Sequence, residues 1–74
     1  MRIIYDPEVD VLRILFQDTP ITESDEDESG IIFDFDDQRN VVGLEILDAS
    51  LRIDDPQSVS YMISRSMPLS GAEV

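Results

Sequence analysis

Residues 30–50, which read GIIFDFDDQRNVVGLEILDAS, decide the fold. Apolar side chains recur at every second position in residues 31–35 and again in residues 42–46. This two-residue period is typical of a strand with one buried face. The sequence therefore predicts a β-hairpin with a loop over residues 37–40, where Asp and Asn suit a turn because they bond nearby backbone and tolerate left-handed conformations.

The register of this hairpin follows from the same pattern. Facing residues in an antiparallel pair keep a constant sum of residue numbers, and one sum gathers the apolar residues on one face. A slip of one residue would turn all of them to the other face. The predicted pairs are Ile31 with Ile46, Phe33 with Leu44, and Phe35 with Val42.

The N-terminus repeats this design thirty positions earlier. Residues 5–12 (YDPEVDVL) align with residues 35–42 (FDDQRNVV), with an aromatic residue, an Asp and a Val at matching positions. Pro7 presets φ for a type I turn, so we expect a second hairpin with a four-residue loop. Its predicted strands and pairs are residues 2–6 and 11–16, with Ile3 opposite Ile14 and Tyr5 opposite Leu12.

The segments outside the hairpins give other patterns. The connection over residues 17–30 contains the acidic run 23–28 (ESDEDE), which we expect to be a solvated loop because like charges repel. Residues 58–64 (SVSYMIS) alternate again and favour a fifth strand. Pro56 would instead suit the first position of a helix. One helical turn is expected after Asp48.

These patterns predict a mainly β fold: two consecutive antiparallel β-hairpins that form a four- to five-stranded sheet, with at most one short helical segment after Asp48. The alternative is an α+β fold with a C-terminal helix from Pro56. Residues 1–65 are expected to form a single small β domain. Residues 66–74, which are rich in small residues, are expected to form a flexible C-terminal tail.

The predicted hairpins share one large apolar face. A sheet must bury such a face against another layer, since burying each large apolar side chain is worth about 1.5–3 kcal/mol. The segment after Asp48 supplies too few apolar residues, and short chains often solve this deficit by association, so we expect a homodimer. The face comprises Ile3, Tyr5, Leu12, Ile14, Phe16, Ile31, Phe33, Phe35, Val42, Leu44 and Ile46.

Charge and composition exclude several classes of function. The net charge of -12 comes from 17 acidic and 5 basic residues, which argues against binding nucleic acid or an anionic membrane. It favours a highly solvated surface, and a basic protein is a possible partner. With no Cys and no His, the chain lacks disulfides, thiolate metal sites and the commonest general base. No membrane-span or signal-peptide pattern is present, so we expect a cytoplasmic protein.

Two groups of carboxylates are candidates for metal or acid–base chemistry. The first has the spacing of a calcium loop, but Arg39 stands where the sharp turn needs Gly. The second crowds the first hairpin loop, where Asp supports a turn. We assign no catalytic, cofactor-binding or metal residues, and expect a non-enzymatic protein that needs no cofactor. The groups are Asp34, Asp36 and Glu45, and Asp6, Glu8 and Asp10.

The two hairpins, residues 4–12 and 30–50, resemble the small prokaryotic family called domain of unknown function 2283. This chain has Gln38 and Arg39 where the family often carries a turn Gly. The resemblance implies no activity, but some members resemble partners encoded beside small toxins, which hints at an antitoxin-like role. The acidic charge, a separate argument, leads us to expect a non-enzymatic protein–protein interaction module that binds a basic partner. The alternatives are a divalent-cation-binding or catalytic protein using the acidic loops, and a purely structural homo-oligomer.

The net charge of -12 generates a prediction about salt. Self-repulsion should destabilise the fold at low ionic strength, and salt screens it because the Debye length falls from about 30 Å at 0.01 M to about 3 Å at 1 M. We expect the melting temperature at neutral pH to rise with sodium chloride, as measured by circular dichroism. A flat or falling melting temperature would show that the acidic side chains are paired or too dispersed to matter.

Overall fold

The computed structural model describes residues 1–65, which form one antiparallel sheet of five strands. The strands lie in the spatial order β1-β2-β5-β4-β3. The mainly β fold with two consecutive hairpins is therefore confirmed. The elements are β1 (Arg2–Asp6), β2 (Val11–Leu15), β3 (Glu23–Glu26), β4 (Ile31–Phe35), β5 (Val41–Leu47) and a 3-10 turn at Ala49–Leu51.

Four of the five predicted cross-strand pairs are confirmed: Ile3 with Ile14, Tyr5 with Leu12, Ile31 with Ile46, and Phe33 with Leu44. The pair of Phe35 with Val42 is wrong, because the register shifts after Asp34 and Phe35 faces Val41 instead. The loop between the strands therefore holds residues 36–40, one more than predicted. The Asp36 carboxylate accepts hydrogen bonds from the backbone of this loop, and Val42, which has no facing residue on β4, forms a bulge in β5.

The two hairpins join through their second strands. β2 pairs with β5, which places Ile14 opposite Leu44 and Leu12 opposite Ile46. Ile14 and Leu44 are also counterparts in the thirty-residue repeat, so the four hairpin strands have an approximate two-fold axis through this pair. Leu12 and Val42, only 6% and 1% exposed, lie near this axis and form the centre of a small core.

The acidic run forms a strand rather than the expected solvated loop. β3 pairs with β4, although all four of its side chains are exposed. The turn between these strands explains the pairing, because Asp27 accepts hydrogen bonds from the backbone N–H groups of Ser29 and Ile31. Gly30 adopts φ 92° there, a left-handed conformation that favours glycine. Backbone hydrogen bonds thus form this strand without burial of side chains.

The C-terminal part of the described chain contains neither of the predicted elements. The fifth strand over residues 58–64 and the alternative helix from Pro56 are both wrong, because residues 56–65 hold only a turn and irregular backbone. The short helical segment after Asp48 is confirmed as the 3-10 turn, whose Ala49 N–H bonds the Asp10 carbonyl at 3.0 Å. The predicted tail over residues 66–74 lies outside the described residues. No helix within residues 1–65 is long and apolar enough to cross a membrane.

Gly43 is a position where the sheet has no room for a side chain. A Cβ there would lie 3.0 Å from the Ile14 carbonyl oxygen and 3.3 Å from Asp34 Oδ2. We expect Gly43→Ala to lower the free energy of unfolding by about 1–3 kcal/mol, the usual cost of overpacking. Chemical denaturation at one fixed protein concentration measures this. Ser60→Ala, at an exposed position, is the control. If both variants changed the free energy of unfolding equally, the Ile14 backbone would be free to move away from the added methyl group.

Candidate interaction surfaces

Carboxylates in the two hairpin loops hold the backbone of the turns. Asp10 Oδ1 accepts hydrogen bonds from the Tyr5 hydroxyl at 2.7 Å and the Ser50 N–H at 2.9 Å, and its Oδ2 accepts one from the Ser50 hydroxyl at 2.6 Å. Asp36 accepts one from the Asn40 N–H at 2.8 Å. The Ser50 hydroxyl is the main cause of the lowered pKa of Asp10, and the Asn40 N–H is the main cause for Asp36. Their oxygens are therefore occupied by structural contacts.

The calcium-loop spacing does not gather its three carboxylates. Asp34 and Glu45 lie on neighbouring strands and share one sheet face, whereas Asp36 belongs to the hairpin loop. In the first loop, Asp6 Oδ1 accepts a hydrogen bond from the Glu8 N–H at 3.0 Å, as a turn-supporting Asp does. Across residues 1–65, no group of three or more acidic side chains is placed to hold a metal ion.

A polar cluster around the buried Asp34 occupies the centre of the face opposite the apolar one. Its members, Arg13, Ser24, Asp34 and Glu45, come from four neighbouring strands. The register explains this, because Ser24 faces Asp34 and Arg13 faces Glu45. Asp34 is 0% exposed, and its Oδ1 accepts a hydrogen bond from the Ser24 hydroxyl at 2.7 Å. Its Oδ2 has no partner within the described residues and lies beside Gly43, whose missing side chain leaves space for it.

The environment of Glu45 favours its protonated form. Burial raises the pKa of Glu45, and Asp34 raises it further by accepting a hydrogen bond from the protonated acid and by charge repulsion. The positive charge of Arg13 opposes this shift. A protonated Glu45 would supply the donor that Asp34 Oδ2 otherwise lacks. One proton held between the buried Asp34 and the half-buried Glu45 costs less than two neighbouring negative charges.

The sequence alone does not predict the polar cluster, because the cluster depends on which strands are neighbours. The two-residue period does place Asp34 and Glu45 on one face. Arg13 joins them only because β2 lies beside β5, and Ser24 joins them only because β3 lies beside β4. Hydrophobic periodicity indicates neither contact.

The acidic edge is the outer side of β3. Glu23–Glu26 lie on the last strand of the sheet and expose all four side chains. Arg39, from the neighbouring hairpin loop, forms ion pairs with this edge: its Nη1 lies 2.8 Å from Glu23 Oε1 and its Nη2 3.7 Å from Asp25 Oδ2. Its guanidinium also lies 4.2 Å from the centre of the Phe35 ring. Exposed ion pairs contribute little to stability, but these contacts compensate part of the edge charge.

The apolar face is only partly covered. Within residues 1–65 the buried apolar residues are Leu12, Val42 and Ala49, whereas Ile3 is 41% exposed and Phe16 40%. An open cleft of about 680 Å³ lies between this face and residues 56–61. The sheet side of the cleft is lined by Ile3, Tyr5 and Leu12, and the other side by Pro56, Val59 and Tyr61.

Comparison with known proteins identifies the family. A family model described as "Protein of unknown function (DUF2283)" matches residues 2–50. The chain belongs to the DUF2283 family. The resemblance seen in the sequence is thereby confirmed, and the matched residues contain all five strands of the sheet. The searches of curated proteins and of solved structures find no match for this DUF2283 protein.

The polar cluster generates a prediction about pH. Because the folded protein raises the pKa of Glu45, the stability from its protonated form is fully present below the unfolded pKa of about 4.3. That stability is lost as pH rises through the folded pKa. Glu45→Gln stays neutral and keeps a donor for Asp34, so we expect it to raise the melting temperature at pH 7, with the gain shrinking toward pH 4.

Thermal melts of Glu45→Gln and wild type from pH 4 to pH 8 measure this effect. Glu8→Gln removes the same charge from an exposed loop position and is the matched control. The difference in melting temperature between Glu8→Gln and wild type should not change comparably over this pH range. A melting temperature of Glu45→Gln below that of wild type at pH 7 would contradict the prediction.

Proposed function

We propose that this protein is a non-enzymatic protein-interaction module that works as a homodimer and binds a basic protein, in an antitoxin-like role. The observation that carries the proposal is the single-layer sheet. Within the described chain, residues 56–61 line one side of an open cleft on the apolar face, and Ile3 and Phe16 of that face stay half-exposed. A sheet whose apolar face stays open gains stability when a partner supplies the second layer.

The apolar face supports a second copy as the partner. It contains large side chains that are half-exposed at its margin, such as Ile3 and Phe16. Two-fold dimers are the commonest way for a small protein to bury such a face. The charge of -12 on each copy opposes association, but the Debye length of about 8 Å at physiological salt limits that repulsion to short range.

The acidic edge supports a basic protein as a further partner. An edge strand presents unpaired backbone groups to which another strand can add. Two acidic edges repel each other, so this edge disfavours pairing between two copies of the chain. Lys and Arg side chains would meet complementary charge there, which speeds association and selects the partner. The acidic loops, by contrast, use carboxylate oxygens in turn contacts, which supports the non-enzymatic reading over a cation-binding one.

Affinity capture with matched variants tests the basic partner. The full-length protein is immobilised beside an edge variant, Glu23→Gln with Asp25→Asn and Glu26→Gln. A control variant, Glu8→Gln with Asp18→Asn and Asp54→Asn, loses the same three charges at exposed positions elsewhere. We expect mass spectrometry of native-lysate eluates to find a basic protein bound to wild type and control but lost from the edge variant.

The capture experiment tests separately whether a basic partner exists and whether it binds the acidic edge. Equal capture of the same basic protein by all three chains would move its binding site away from the acidic edge. Capture of no basic protein by wild type would overturn the antitoxin-like role and leave a structural homo-oligomer. Light scattering coupled to size exclusion in 0.15 M salt tests the homodimer separately, and a mass near 8.4 kDa would reject it.

A further inference from the structure

The C-terminal arm, residues 56–65 (PQSVSYMISR), has the pattern of a strand but no strand partner. Val59, Tyr61 and Ile63 occupy alternate positions, and β-branched and aromatic residues of this kind favour strands. Yet within residues 1–65 no backbone–backbone hydrogen bond involves residues 59–65. The arm therefore carries a sequence pattern that its own chain does not use.

The arm also leaves its apolar side chains in solvent. Val59 is 58% exposed, Tyr61 75%, Met62 81% and Ile63 64%. These four residues lie within five consecutive positions of the arm. Clusters of exposed apolar side chains on soluble proteins mark interaction sites.

A complementary surface lies on the sheet. β1 is hydrogen-bonded to β2 on one side, and its other side is an open edge among the described strands. The cleft beside this edge is apolar on its sheet side, where Ile3, Tyr5 and Leu12 line it. In its own chain the first part of the arm, from Pro56 to Tyr61, lines the cleft, but the cleft stays open and Tyr61 stays mostly exposed. Docking within one chain thus leaves both surfaces incompletely buried.

Charge directs the arm toward β1 rather than toward β3. Residues 56–64 carry no charged side chain, and Arg65 is basic, so the arm approaches an acidic body without repulsion. The β3 edge exposes only acidic and Ser side chains, which offer nothing to an apolar strand. The β1 edge presents Ile3 and Tyr5 next to the cleft. The arm and the β1 edge therefore match in both backbone and side-chain character.

We propose that the arm of one copy docks as a strand along β1 of a second copy and fills the cleft over Ile3, Tyr5 and Leu12. The exchange is reciprocal, so two arms and two clefts form one two-fold interface. This inference rests on the homodimer proposed above and assigns its interface. It also explains why the arm keeps a strand pattern that is unpaired within one chain.

Cross-linking between chains tests this exchange, since the protein has no Cys of its own. One full-length chain carries Ile3→Cys and a second, distinguishable by an affinity tag, carries Tyr61→Cys. After mixing, we expect a short bismaleimide to link the two chains efficiently. Ser60→Cys, the neighbouring arm position of opposite parity, replaces Tyr61→Cys in the control and should give much less product.

Charge substitutions in the arm give an independent readout. Val59→Asp with Tyr61→Asp and Ile63→Asp places charge on the proposed docking side. Ser58→Asp with Ser60→Asp and Ser64→Asp adds the same charge to the other side. We expect the first variant to be monomeric by light scattering and the second to remain dimeric, both with the sheet signal of wild type in circular dichroism.

Three outcomes separate this inference from the proposed homodimer. A monomeric wild-type protein would overturn both. A dimeric wild type whose mass is unaffected by either arm variant would overturn the exchange and keep the homodimer. A double variant, Ile3→Cys with Tyr61→Cys, that links only within one chain while the protein is dimeric would also overturn the exchange, because it would place the arm on its own sheet.

Discussion

The pairing of β2 with β5 is the contact on which the rest of the structure depends, because it joins two local hairpins into one sheet. It sets Ile14 against Leu44 and so places the apolar side chains of both hairpins on one surface. The same pairing sets Arg13 against Glu45 on the opposite surface. Without it β1 and β2 would be an isolated two-stranded ribbon, which is at best marginally stable in water, and β5, β4 and β3 would form a separate three-stranded sheet.

The sequence predicted the local part of this fold well because local patterns encode it. The two-residue period fixes which residues share a face, and a short loop then fixes the register, so the pair of Phe33 with Leu44 was accessible. The bulge was not, because it depends on how the Asp36 carboxylate organises the loop backbone. The order of the strands could not be predicted either, because β2 and β5 are distant in the chain and no pattern within either strand indicates which strand it pairs with.

The predictions for β3 and for the C-terminal arm were wrong in opposite ways, and together they show what hydrophobic alternation measures. Glu23–Glu26 has no apolar residue, yet it is a strand because its turn and its backbone bonds to β4 suffice. Residues 58–64 have the alternation of a strand, yet no strand forms within the described chain. Hydrophobic alternation reports a side-chain surface that needs a partner. It does not report whether the partner lies in the same chain, and the proposed arm exchange would supply one from a second copy.

The two sheet faces are unequal as surfaces for association. Covering the polar cluster would remove water from Glu45 and Arg13, and Arg13 Nε already lacks a hydrogen-bond partner within the described residues. Further burial of an unpaired polar group is costly unless the partner supplies matching groups. Covering the apolar face has no such cost, because its central side chains have no polar atoms to leave unpaired. The proposed association through the apolar face and β1 would therefore leave Glu45 and Arg13 in contact with water, and would leave the acidic β3 edge, at the far side of the sheet, open to the proposed basic partner.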